Sequence, residues 1–142
     1  MAIEDLFGTW KLLSHQFITI ATDERRDMFG ADPIGMLMIS PDKRMMAIIT
    51  SKDRQASDSV AGDAALFKSS LAYGGPLRIA GDDQFITSVE VSWHPEWLGT
   101  EQTRIFRLNG DTLSIMTPSM LHPMFPGQTA RGVLAWHRIS RF

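Results

Sequence analysis

Apolar and polar residues alternate along most of this chain, and helical periodicity is confined to one short segment. Residues 8–22, "GTWKLLSHQFITIAT", are rich in aromatic and β-branched side chains and predict a first strand. At about 15 residues it exceeds the usual strand length, so the pattern predicts a bend or bulge within it. A polar loop, 23–33, follows. "GMLMIS", "PDKR" and "MMAIIT" predict a hairpin in which Ser40 pairs with Arg44, Ile39 with Met45 and Leu37 with Ala47. Both faces of this hairpin are apolar, so inside and outside are not distinguished.

Residues 51–62 form the most polar stretch and predict a loop. Asp63 is the expected N-cap of a short helix over "AALFKSSLAY", with Leu66, Phe67 and Leu71 as its buried stripe and Gly74-Gly75 ending it. "PLRIAG", "FITSVEVSW", "TEQTRIFRL", "TLSIMT" and "RGVLAWHRIS" complete the expected strands. The result is about eight or nine strands and one helix, spaced as in an all-β barrel or sandwich. Neither a linker nor an internal repeat interrupts the pattern, so one domain is expected over residues 1–142.

The stretch 88–117 holds the candidate chemistry. Glu90, Gln102 and Arg104 share the parity of Phe106, Leu108, Leu113 and Ile115. If Trp93 and Glu101 flank the intervening loop, Glu90 faces Arg104, Ser92 faces Gln102 and Ser88 faces Phe106. The "NGD" turn, a strong hairpin signal, carries the same face to Leu113, Ile115 and Thr117. This face is expected to point inward, apolar at one end and polar at the other; a slip of one residue would invert it. Burying Glu90 and Arg104 would cost several kcal/mol per ion unless they pair and complete their hydrogen bonds. Such a pair suits a polar anchor in a ligand cavity. It also suits an internal ion pair that orders the barrel, or, if outward, a surface ladder worth roughly 0.2–1 kcal/mol.

The totals narrow the field. Net charge is −2 with no basic run, which argues against nucleic acid as a partner. Cysteine is absent, which excludes disulfides and thiolate chemistry. No apolar run reaches the roughly 18–20 residues that span a bilayer, and "MAIEDLFGTW" does not read as a secretory signal. A soluble cytoplasmic protein without a membrane partner is the expectation. His15, His94, His122 and His137 show no zinc spacing, so no metal site is expected. Neither His122 nor His137 is expected to hold a haem, and no cofactor is expected. No nucleophile elbow or phosphate loop occurs. Tyr73, the sole tyrosine, either presents its hydroxyl to a cavity or caps the helix contact. Trp93, Trp97 and Trp136 read as packing or rim residues. The apolar, proline-rich loop 118–129, with Met120, Leu121, Met124 and Phe125, reads as a lid or as a homo-oligomer contact.

With these residues in view, the chain resembles the lipocalin-like domain family within the calycin group of small barrels. The likeness runs through "LFGTWKLLS", "DPIGMLMISPD", "VEVSWHPEWLGTEQTRIFRLNGDTLSIMTP" and "VLAWHRI", spanning nearly the full length in family order. It implies a single antiparallel lipocalin-like β-barrel of about 8–10 strands with one short helix. It also implies that Trp10 packs at a closed end with Arg138 over it, a structural pairing. Relatives often carry Gly where this chain has Lys43; a left-handed backbone there would cost Lys43 about 1–2 kcal/mol.

The expected function is binding of a small, mainly apolar or amphipathic molecule in the barrel. Glu90, Ser92, Gln102 and Arg104 would hold its polar end, and Phe106, Leu108, Leu113, Ile115, Thr117 and Tyr73 would contact the rest. The alternative is a cofactor-independent cyclase or isomerase acting on a polyketide- or terpenoid-like substrate, with Glu90 as acid/base and Arg104 stabilising negative charge. A third possibility is a barrel filled solid by its own side chains.

Overall fold

The computed structural model describes residues 2–122 and 125–142. Its strands are β1 (Gly8–Thr19), β2 (Arg25–Asp27), β3 (Ile34–Ser40), β4 (Arg44–Thr50), β5 (Ser70–Ala80) and β6 (Gln84–Ser88). After them come β7 (Val91–Ser92), β8 (Glu101–Asn109), β9 (Thr112–Met116), β10 (Met120–His122) and β11 (Phe125–Ser140). One helix, α1 (Val60–Lys68), and two 3-10 turns, Ile3–Leu6 and Pro95–Trp97, complete the fold. The ring runs β1-β3-β4-β5-β6-β8-β9-β11 and closes through β11–β1, giving an eight-stranded antiparallel barrel. Short strands β2, β7 and β10 add to its rim. Closure removes the edges that would otherwise invite strand addition.

The antiparallel order puts the tight turns 41–43, 81–83 and 110–111 at one end with both chain termini. Longer connections, including 20–33, 51–69 and 89–100, gather at the other. The first end is sealed. Trp10 is fully buried, and its indole N–H donates to the Leu6 carbonyl at 3.1 Å. The Arg138 guanidinium lies 4.3 Å from the Trp10 ring centroid, a cation–π contact worth about 0.5–2 kcal/mol. Arg138 also donates to the carbonyls of Phe7 (2.6 Å) and Asp5 (2.9 Å) and to the Asp111 carboxylate (3.1 Å).

The expected bulge in the first strand is present. Leu12 pairs with Trp136 and Ser14 with Ala135, so Leu13 is an extra residue. It points outward, 50% exposed, and the parity of the strand changes after it. Trp10 and Leu12 face inward before the bulge, and His15 and Phe17 after it. The β3–β4 hairpin has the expected register: Ser40 pairs with Arg44, Ile39 with Met45 and Leu37 with Ala47. The barrel distinguishes its two apolar faces, burying Leu37, Ile39, Met45, Ala47 and Ile49 and leaving Met36, Met38, Met46 and Ile48 outside. Lys43 is indeed left-handed, at φ 63.

Three expectations need correction. The helix starts earlier, because Ser59, in extended backbone, caps it by accepting from the Gly62 N–H at 3.0 Å. It buries no residue, and Phe67 is 42% exposed. From Ser70 the chain leaves the helical path for a ladder with β4, so Leu71, Tyr73, Gly74 and Gly75 are strand residues. Continuous pairing wins over extending a helix too short to be stable alone. The loop at 118–129 is mostly strand: Met120 pairs with Ala130 and Leu121 with Thr129. Met124 lies outside the described residues.

The third correction concerns the strand expected over 85–93. It breaks after Ser88. Leu77 pairs with Thr87 but Gly74 with Val91, so the chain bulges between them. Gly75 is required at this crossing, because a Cβ there would sit 1.9 Å from the Ser88 carbonyl oxygen. The connection to β8 consumes residues 89–100, with Val89 N–H bonded to Thr100 O and Gly99 N–H to Val89 O. The β6–β8 register therefore pairs Phe85 with Arg104 and Thr87 with Gln102. That offset from the expected pairing is an odd number of residues, so Phe85 and Thr87 of β6, and Val89 just after it, face the interior instead of Ser88 and Glu90. Beyond the loop the expected faces hold: Phe106 pairs with Ile115 and Leu108 with Leu113.

Candidate functional site

Between the sealed base and the end with long connections lies an axial cavity. Space for water-molecule centres inside it amounts to about 40 Å³, enough for a few waters at roughly 10–15 Å³ each. Its wall is mainly apolar. Leu37, Met45, Ala47 and Ile49 come from the β3–β4 hairpin, whose apolar alternation predicted strands without saying which face turned in. Ile115, Met120 and Leu134 close the opposite side. Aromatic rings supply much of the rest: Phe17, Tyr73, Phe85, Trp97 and Trp136. Tyr73 packs edge-on against Trp97, with ring centroids 5.0 Å apart.

Among the described residues, Arg104 is the charged residue of this wall. It is only 5% exposed. Its Nη1 donates to its neighbour's carbonyl, Thr103 O, at 2.9 Å, and reaches the Gln102 side-chain oxygen at 3.5 Å. The rings of Tyr73 and Trp97 each lie 5.7 Å from the guanidinium carbon. Among the described residues no carboxylate lies within ion-pair distance of it. Gln102 is held in turn by its bond to the Thr100 hydroxyl at 2.9 Å. The Thr117 hydroxyl, on the cavity wall, accepts the Gly132 N–H at 2.7 Å.

Of the residues singled out in sequence, Tyr73, Arg104, Ile115 and Thr117 line the cavity. Phe106 and Leu113 belong to the packed core, with Leu108 against it. Gln102 is half-buried and touches Arg104. Ser92 lies on the rim strand, where its hydroxyl accepts the His94 N–H at 3.2 Å. Glu90 does not face Arg104. It is exposed and pairs with Arg44 at 3.2 Å, on the outside of the barrel. The register shift across 89–100 is the cause. His137 is also on the outer face.

Sequence reasoning missed His15, Phe17, Trp97 and Trp136 as wall residues. The first two turn inward only because of the Leu13 bulge, and the doubled leucine of "KLLSH" is the one local hint. Trp97 is buried by the 3-10 turn that folds it back over the barrel. Outside the cavity, Arg78 hydrogen-bonds the Glu101 carboxylate at 3.0 and 2.9 Å and holds its pKa below the ordinary value. Lys52 does the same to Asp32. Both pairs are surface features remote from the site chemistry. No group of three or more metal-ligating side chains occurs among the described residues, and no helix among them is long and apolar enough to cross a membrane.

A family model described as a lipocalin-like domain matches residues 7–139, nearly the whole chain. The chain is also similar to the 4'-hydroxy-3'-methoxypropiophenone carrier protein ppsC of Aspergillus oryzae (strain ATCC 42149 / RIB 40). The two are 32% identical over 79 residues, 50% of this chain and 68% of that protein. Together these likenesses support small-molecule binding in general.

Proposed function

The chain belongs to the lipocalin-like domain family, and on that premise we propose that it is a carrier of a small, mainly apolar aromatic molecule, held in the axial cavity with its polar end at Arg104. The observation that carries this reading is the guanidinium itself: 5% exposed, on an apolar wall, without a carboxylate partner among the described residues. A buried charge left without a partner costs several kcal/mol and is retained where something else uses it. Gln102 orients it, and Tyr73 and Trp97 frame it. A propiophenone such as the one named for the Aspergillus oryzae relative has a matching outline, a flat ring with oxygen substituents.

Uptake requires the wall to yield, because the free space is only a few waters large. Met45 and Met120 are unbranched and re-pack at low cost, so they are the side chains suited to move aside. The cyclase or isomerase alternative loses its geometric premise, since Glu90 faces out and no carboxylate lines the cavity among the described residues.

Isothermal titration with 4'-hydroxy-3'-methoxypropiophenone, alongside native mass spectrometry, tests the reading. One-to-one uptake is expected, and Ala47→Phe, which fills the cavity from its wall, is expected to abolish it while leaving the far-ultraviolet spectrum intact. Equal binding by the folded Ala47→Phe variant would place the ligand elsewhere and sink the proposal.

A further inference from the structure

We infer that the barrel takes its ligand as an oxyanion: a flat aromatic body bearing one ionised carboxyl or acidic phenol, set against Arg104. The inference rests on the carrier reading and specifies the chemistry of the ligand's polar end.

The polar groups of the wall are weighted toward donors. Arg104 presents a cationic plane of N–H groups. The indole N–H of Trp136, 2% exposed and on the same wall, has no acceptor among the described residues. The Thr117 oxygen is already engaged by the Gly132 N–H. Among the described residues, the titratable groups that share the cavity with Arg104 are His15 of β1 and Tyr73 of β5, and neither supplies a carboxylate. Among the described residues the positive charge is therefore met only by ring faces and two neutral oxygens, the Thr103 carbonyl and the Gln102 amide, and by no anion.

A neutral ligand would leave that imbalance in place. An oxyanion would cancel it through charge-assisted hydrogen bonds, which are shorter and stronger than neutral ones and gain further in a site screened from water. A phenol taken up this way leaves its proton with the solvent, so its bound pKa falls. Flatness follows from the walls: Phe17 and Phe85 line the same cavity as Tyr73 and Trp97, and Phe85 is the ladder partner of Arg104. Aromatic faces arranged in this way favour a ring between or against them.

Two matched pairs of probes separate charge from shape. The first is 2-naphthoate with methyl 2-naphthoate, and the second is 4'-hydroxyacetophenone with 4'-methoxyacetophenone. Affinities are read by titration calorimetry near neutral pH, and phenolate formation by the absorption of the bound phenol. The acidic member of at least one pair is expected to bind at least about tenfold tighter, and which pair does so tells carboxylate from phenolate. In Arg104→Met the preference is expected to fall below about threefold, and Arg104→Lys is expected to keep part of it. Ester and ether binding as tightly as their acids in the unaltered protein would overturn the oxyanion inference and leave the carrier reading standing. A preference that survives in folded Arg104→Met would overturn it as well. Failure of the protein to take up any of the four probes or the propiophenone would count against both readings.

Discussion

The base of the barrel and its axial cavity each bury an arginine to nearly the same extent, Arg138 at 6% exposure and Arg104 at 5%. Their surroundings differ. Arg138 donates to two backbone carbonyls and a carboxylate and covers a tryptophan face at 4.3 Å. Each of its three nitrogens donates to a partner, and the base is closed. Arg104 has one carbonyl, a long contact to an amide oxygen and two rings at 5.7 Å. Burial alone therefore does not tell a structural arginine from a binding one. The inventory of acceptors does: a guanidinium whose partners are all supplied by the fold holds the fold together, and one with unmatched charge beside a cavity has capacity left for a ligand.

The largest expected effect tests the base. Arg138→Met should lower unfolding stability by about 3–5 kcal/mol, because it strands the carbonyls of Phe7 and Asp5, uncovers the Trp10 face and leaves Asp111 with Arg141 alone. Arg104→Met should change stability by less than about 1 kcal/mol, or raise it, since it replaces a poorly matched buried charge with an apolar side chain. Urea denaturation of both variants measures the contrast, and equal losses would remove the distinction between the two arginines.

Lys43→Gly probes the base through a turn. It should raise stability by about 1 kcal/mol by relieving the left-handed backbone at φ 63, with no effect on uptake, because Lys43 does not line the cavity. Glu90→Gln should alter both stability and uptake of the propiophenone by under about 0.5 kcal/mol, as expected of an exposed pair with Arg44. A marked loss of uptake would restore Glu90 to the site. The smallest effect concerns the rim. The folded-state pKa of Glu101 is lowered, chiefly by its hydrogen bonds to Arg78. Its contribution is thus present above the unfolded carboxylate pKa and is lost as pH falls through the lowered folded value. A stability difference between the unaltered protein and Glu101→Gln should fade on acidification over that range, without changing the behaviour of Arg104.

Much of this architecture was legible in the chain. Alternation identified most of the strands, and the short turns at 41–43 and 110–111 set the hairpin registers that the structure contains. Turns of two or three residues leave little freedom, so the pairing on either side follows locally. The site was legible in part. Arg104, Ile115 and Thr117 follow from parity after the long connection, and Tyr73 was identified without its correct element. Glu90 was misplaced because its face depends on how many residues the 89–100 connection consumes. That number is set by the burial of Trp97 and by pairing with β5, and neither is visible in the alternation.

By itself, then, the sequence determined the strand content, the tight hairpins and the pairing of Trp10 with Arg138 at the base, since these depend on neighbouring residues or on a family pattern spread along the chain. Tertiary structure alone decided that His15 turns inward past the Leu13 bulge, that Glu90 turns outward, and that Arg104 is buried with no carboxylate beside it among the described residues. Side chains in a strand repeat every two residues, so a bulge or a loop of unforeseen length reverses a whole face, and only closure of the barrel selects which reversal buries the most apolar surface.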